Sequence, residues 1–338
     1  MRHFITRRAA KALALGAVAT LALAGCGGGS LSGSDSSSSP SASGSAAAGG
    51  ELEKIVVGVI GIAPSAAMQY GVDEGIFEEH GLDVELQTGQ GGAAMLPAVS
   101  TGDMNFAVGN PLTVMVAKDK GLDMKIVTGY SNSYAEGEDI NGVVARADSG
   151  ITTFADLEGK TASVNAVNTQ GDLTIMEAAS LAGADPTQIK FSEMPFPDME
   201  AQLDLGNTDA IWIPEPFLSK ALSNPDNVLV GYSNQEAVPG MPTMVTFTSG
   251  NYASSSPETV EKFKSAMEDL LTQAEANIDD VKAVLPAFMN MPAEVAANLK
   301  MEQYDAELRT EELKEMGELM VKYKFVENAP DLDAMTVQ

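Results

Sequence analysis

The sequence is short of the side chains on which most active-site chemistry depends. It has one cysteine, Cys26, two histidines, His3 and His80, and one tryptophan, Trp212, in 338 residues. A single cysteine excludes an intrachain disulfide framework and a multi-cysteine metal site. The histidines form no H-E-x-x-H run, and no G-K-[ST] or full G-x-G-x-x-G is present, so zinc-protease and nucleotide-binding readings have no support. Cations are scarce too: 20 Lys and Arg stand against 47 Asp and Glu, a formal charge of −27. Such a surface is unsuited to nucleic acid and to unaided binding of anionic lipid. Beyond the first 25 residues the only arginines are Arg146 and Arg309.

Long hydrophobic runs are also missing, with one short exception at the start. Arg2, Arg7, Arg8 and Lys11 precede an Ala/Leu-rich segment that stops at Ala24, the layout of a secretory signal and too short for a confident membrane span. Thr6-Arg7-Arg8 hints at twin-arginine export, with the general secretory route preferred. Leu23-Ala24-Gly25-Cys26 matches a bacterial lipobox, so residues 1–25 are expected to be removed and Cys26 to receive lipid such as palmitate. Loss of the four signal cations leaves the remainder four charges more negative and without a free thiol. Residues 26–50 are then almost wholly Gly, Ser and Ala, a composition that cannot bury a core and serves as a tether.

The globular part is organised around Lys54 to Gln87. Ile55 to Ile60 is an apolar, β-branched run, broken by Gly61 to Ser65; Ala66 to Glu74 has helical character and Gly75 is placed to stop it. Leu82, Val84 and Leu86 alternate with Asp83, Glu85 and Gln87 as a second strand. Ligands of open α/β sheets sit beyond the carboxyl ends of such strands, which makes Ala63, Pro64 and Ser65 the first candidate contacts.

Gly75 to Leu86, GIFEEHGLDVEL, resembles the solute-binding proteins of nitrate, sulfonate, taurine and thiamine-pyrimidine ABC importers, and the similarity runs from about Lys54 to the C-terminus. Asp156-Leu157-Glu158-Gly159-Lys160 resembles the segment that opens the second lobe of such proteins. The resemblance implies a two-lobed, type II periplasmic-binding-protein-like α/β clamp, each lobe a sheet flanked by helices, with the ligand cleft between lobes.

Later segments repeat the strand, polar loop, helix order. Gly89 to Ala93 reads either as a plain turn or as a helix start whose free N–H groups face a ligand, which nominates Gly91 and Gly92. Asn110, after Phe106 to Gly109, reads as a specificity contact or as a helix N-cap. Met124 to Gly129 is a strand, leaving Tyr130 and Tyr134 in a polar loop as pocket walls. Thr161 to Asn165 is followed by Asn168 and Thr169 before a helix from about Asp172 to Ala182.

The strongest internal signal is a repeat, Thr101-Gly102-Asp103-Met104-Asn105-Phe106-Ala107 against Leu205-Gly206-Asn207-Thr208-Asp209-Ala210-Ile211. Aligning the glycines sets Asn110 and Pro111 opposite Pro214 and Glu215, as expected of facing loops in two lobes. Trp212 reads as strand core or as a cleft wall. Glu215, in a segment that the resemblance places on that wall, is a candidate acceptor or a buried structural carboxylate. Lobe I is expected over 51–147 plus 246–338 and lobe II over 148–245, with crossovers near Arg146 and Val245.

The function this implies is capture of a small solute by hinge closure and delivery to an ABC permease, by a lipid-anchored, extracytoplasmic monomer without cofactor, metal or turnover. Two alternatives share the clamp. One is the thiamine-pyrimidine synthases that consume their own histidine, for which only His80, in a short turn, is on offer; the other is a sensor ectodomain. Without a cation in the candidate loops a strong anion preference is disfavoured, although helix starts at Ser65, Gly92 and Asn168 can bind anions through N–H groups. An aromatic or zwitterionic solute fits comparably well.

Overall fold

The computed structural model describes residues 51–337. The signal segment, Cys26 and the tether lie outside them. Eleven strands form two sheets among the described residues. The first contains β1 (Glu53–Ile60), β2 (Leu82–Gly89), β3 (Phe106–Gly109), β4 (Met124–Asn132), β10 (Pro242–Ser249) and β11 (Gln303–Tyr304) in the order β11-β4-β10-β3-β1-β2. The second contains β5 (Asn141–Arg146), β6 (Thr161–Val164), β7 (Lys190–Glu193), β8 (Ala210–Pro214) and β9 (Asn227–Gly231) in the order β7-β6-β8-β5-β9.

Each sheet has a parallel side, with β1 between β2 and β3, and β6 between β7 and β8. Parallel strands need crossover helices. Here they are α1 (Ala66–Asp73), α2 (Ile76–Glu79) and α3 (Gly92–Thr101) in the first sheet, where α4 (Pro111–Asp119) follows β3; α5 (Gln170–Leu181) and α6 (Phe196–Asp204) serve the second. Helices cover both layers, so the central strands are apolar along their length: Val57, Val59, Phe106, Ala162 and Ile211 are fully buried. The helix expected to begin near Asp172 starts two residues earlier.

The repeat is visible in the backbone. Gly102 ends α3 and Gly206 follows α6, each with a left-handed φ, at 85° and 71°. Each turn feeds a strand parallel to an earlier strand of its sheet, with Phe106 against Val57 and Ala210 against Ala162. One physical requirement, a sharp stop before a central strand, explains the shared glycine.

Strand membership moves the expected lobe boundaries. Asn141 to Arg146 pairs with β8 and β9 in the second sheet, and Pro242 to Ser249 pairs with β3 and β4 in the first. The chain therefore changes sheet between Asn132 and Asn141, and again after α8 (Ser233–Ala237) and before Pro242, not near Arg146 and Val245. These two crossovers run side by side, the Ser133 N–H donating to the Met241 carbonyl at 2.9 Å. Strand β4 also runs three residues beyond its expected end, taking Tyr130 out of a loop. The C-terminal helices, including Pro257–Ala276 and Thr310–Lys322, pack back on the first sheet, as Phe263 stacked on Phe106 at 3.9 Å illustrates.

Candidate functional site

The carboxyl ends of β1 and β3 and the turn after β2 deliver Ile60, Ile62, Gly92, Asn110 and Thr113 to one edge of the first sheet. The ends of β6 and β8 deliver Asn165 and Pro214 from the second, with Thr169, Gln170 and Phe196 from its helix starts. Antiparallel β5 and β10 bring their amino ends, Asn141, Thr243 and Met244, to the same place. With Trp212 and Glu302 these residues line a partly open cavity of about 50 Å³ between the two sheets. At about 10–15 Å³ per water centre, this holds three to five waters, or a solute of a few non-hydrogen atoms.

The two sheets meet across it. The Asn110 amide of α4 donates to the Gln170 side-chain oxygen of α5, and a second Asn110 bond reaches the Thr243 carbonyl at 3.2 Å. At the other rim a Cβ on Gly91 would meet the Asn165 amide nitrogen at 2.9 Å, so the glycine allows the edges to approach. The Ala63 N–H donates to the Glu215 carbonyl at 3.0 Å, a third link between the sheets.

The lining is amides, hydroxyls and apolar groups. None of the described residues lining it is Lys, Arg or His, and Glu302 is its one ionisable side chain. Glu302 Oε2 accepts from Ser131 Oγ at 2.5 Å and Oε1 from Asn141 Nδ2 at 3.1 Å. Burial, reinforced by the negative charge of Asp139, pushes the Glu302 carboxyl up to about 7, against the pull of the Ser131 hydrogen bond. Trp212 is 5% exposed, packs on Phe196 with ring centroids 6.0 Å apart, and leaves its indole N–H without a partner among the described residues. A buried donor left unpaired costs stability, so this indole N–H is a local penalty of the packing around Phe196.

Three helix starts face the cavity, in different states. The first turn of α3, at Gly92 and Ala93, has no side-chain cap and its N–H groups are free of intrahelical partners. Asn110 caps α4, its Oδ1 accepting from the Leu112 N–H at 2.8 Å. At α5 the Asp172 carboxylate accepts from the Asn168 and Thr169 N–H groups at 2.5 and 2.9 Å, although burial raises its pKa to about 6.

The residues nominated from sequence therefore divide. Gly92, Asn110, Thr169 and Trp212 line the cavity, and Gly91 forms its rim against Asn165. The others have different positions. Ala63, Pro64 and Ser65 form a buried 3₁₀ turn behind the cavity, where the Pro64 carbonyl accepts from both Tyr130 and Tyr304 hydroxyls at 2.8 Å. Tyr130 is thus a fully buried strut rather than a pocket wall. Asn168 is exposed, with a left-handed φ of 56° in the turn before α5. Glu215 is turned away: its carboxylate accepts from the Ser219 N–H at 3.0 Å and hydroxyl at 2.6 Å, fixing the start of α7 (Phe217–Leu222).

Asn141, Asn165, Gln170, Thr243 and Glu302 went unnamed in the sequence. Asn165 had a usable signal, since it follows strand β6 as Asn110 follows β3. Gln170 lies in the nominated loop, one residue past Thr169. Glu302 had none, for it comes from the C-terminal segment and meets Asn141 across 161 residues of sequence.

No curated protein matches the chain by sequence. Solved structures resemble it in fold. The aliphatic sulphonate-binding protein SsuA of Escherichia coli is 17% identical, with a TM-score of 0.67 over 85% of this chain and 98% of that one. The alkanesulfonate-binding SsuA of Xanthomonas axonopodis, bound to MOPS, is 14% identical, with a TM-score of 0.71 over 85% and 99%. The nitrate-binding protein NrtA of Synechocystis is 11% identical, with a TM-score of 0.68 over 85% and 86%. The architecture is that of periplasmic binding proteins. The NMT1/THI5-like sequence profile matches residues 64–280, well over half of the sequence, and the chain belongs to that family.

Proposed function

We propose that this protein is the lipid-anchored, extracytoplasmic solute-binding component of an ABC importer, holding a small solute between two lobes and passing it to a membrane permease. The observation that carries the reading is the partly open cavity at the facing strand ends of two sheets, bridged by Asn110 and Gln170. Contacts from both lobes to one solute favour the closed arrangement over an open one, and two adjacent crossovers are a suitable hinge. The solutes of the similar sulfonate- and nitrate-binding structures set the starting range for a search.

Binding without turnover fits the lining better than catalysis does. The one histidine of the described residues, His80, is not a lining residue and pairs with Asp269 at 2.8 Å. That argues against a synthase that consumes its own histidine.

The test is titration of the purified protein with sulfonates, nitrate, small amines, amino acids and pyrimidines, read by Trp212 fluorescence and thermal shift. A saturable fluorescence change is expected, with about 2.7 kcal/mol of added stability at 100 times the dissociation constant. Failure of every solute, or recovery of a chemically altered one, overturns the reading. Anchoring is tested separately, because Cys26 lies outside the described residues: Cys26→Ala should move the protein from membrane to soluble fraction, and retention in the membrane would remove the lipoprotein part.

A further inference from the structure

The solute-binding reading leaves the class of solute open, and the cavity wall narrows it. Glu302 is 2% exposed and has no ion-pair partner among the described residues. The nearest cation in sequence, Lys300, is engaged with Glu138 at 2.5 Å. The other titratable groups around Glu302 supply no positive charge. Asp139, in the first crossover, accepts from Ser133 Oγ and the Ile140 N–H, and Tyr130, Tyr134 and Tyr304 have phenols held further toward the neutral form. The donors that reach it, Ser131 and Asn141 with the Thr243 hydroxyl beside them, are all neutral, so none offsets the charge of the carboxylate.

A buried carboxylate stays charged only with a compensating partner, and this one faces the cavity. An oxyanion in the same 50 Å³ would be held beside that carboxylate without a single cationic side chain to offset it.

We propose that the cavity takes a small solute carrying an ammonium or amidinium group, with Glu302 binding that group. The proposal rests on the solute-binding reading and adds to it a charge requirement that the cavity enforces. Glu302 is a specificity-determining residue: it rewards a cation, and it penalises a solute of the same size that offers only oxyanion or hydroxyl. The Trp212 and Phe196 rings add apolar walls compatible with a cation above a ring face.

The experiment compares two pairs of probes that differ in the ammonium alone, taurine against isethionate and ethanolamine against ethylene glycol, by calorimetry on the wild type and on Glu302→Gln. Charge-assisted hydrogen bonding predicts about tenfold or greater preference for the amine of each pair in the wild type, collapsing toward parity in the variant. Should Glu302→Gln fail to fold, the two probe pairs on the wild type decide alone. Isethionate binding as tightly as taurine, ethylene glycol binding as tightly as ethanolamine, or a preference that survives Glu302→Gln overturns the proposal. So does failure of all four probes; if another solute still changes Trp212 fluorescence, the solute-binding reading stands while the charge requirement falls.

Discussion

Trp212 carries two roles at one position. Its ring fills the space beside Gly171, where an added Cβ would meet it at 2.9 Å, and packs on Phe196, while the residue also lines the cavity. Core residue and cleft wall were opposed readings of the sequence, and the structure gives it both positions. Two substitutions separate them. Trp212→Phe keeps a ring at the cavity wall and loses only an unpaired buried donor, so the unliganded melting temperature should be nearly kept. Trp212→Ala opens a cavity and should cost about 3–5 kcal/mol of stability, measured by denaturant unfolding. Glu215 behaves in the opposite way. Its carboxylate serves Ser219 alone, so Glu215→Ala should destabilise by about 1–3 kcal/mol while solute affinity of the folded protein is unchanged.

At the scale of elements, the site is a set of helix starts and strand ends, and one side chain can serve an element and the cavity together. Asn110 caps α4 through Oδ1 and bridges to Gln170 through Nδ2. Asn110→Ala therefore removes both and should lower the melting temperature through a cap loss of about 0.5–2 kcal/mol, besides weakening binding. Gln170→Ala removes the bridge alone. Its expected signature is weaker binding at nearly unchanged melting temperature, and equal stability losses in the two variants would show that the cap does not separate them. The strand, loop, helix order was readable because apolar runs, glycine stops and capping residues are local in sequence. The crossovers were not: Arg146 follows a short apolar run and a charged break, which looks like a boundary, yet β5 finds its partners β8 and β9 some 65 to 90 residues away.

At the scale of the whole molecule, buried carboxyls set the pH response. Burial holds Glu302 at about 7 and Asp172 at about 6, and raises Asp139 and Glu215 as well. Over the interval between their ordinary values and these raised ones, the folded protein binds more protons than the unfolded chain. Stability must then fall as pH rises through that interval. The formal charge of −27 works in the same direction, since deprotonation adds to self-repulsion. The melting temperature is expected to be higher at pH 5 than at pH 8. Glu302→Gln should flatten this dependence and stabilise the protein at pH 8, with an upper bound on the order of 3 kcal/mol. A melting temperature that rises from pH 5 to pH 8 would contradict the assignment. Below about pH 4, Glu53 and Asp123, held down by bonds from Thr259 and Lys118, bring the opposite slope.

The sequence by itself determined the order of strands and helices and the glycine stops of the repeat by local rules of periodicity and turn chemistry. The same rules nominated Gly92 at a glycine-rich helix start, Asn110 directly after a buried strand and Thr169 in a polar loop before a helix. The two-lobed fold class and the cleft-wall reading of Trp212 came through the family resemblance. Tertiary structure alone decided the sheet membership of β5 and β10, the inward placement of Tyr130 and Glu215, and the entry of Glu302 into the cavity. Those outcomes depend on pairing and packing between segments far apart in the chain. A residue such as Glu302, two positions before Tyr304 in an unremarkable polar stretch, acquires its chemistry only from Ser131, Asn141 and Asp139, which folding gathers around it.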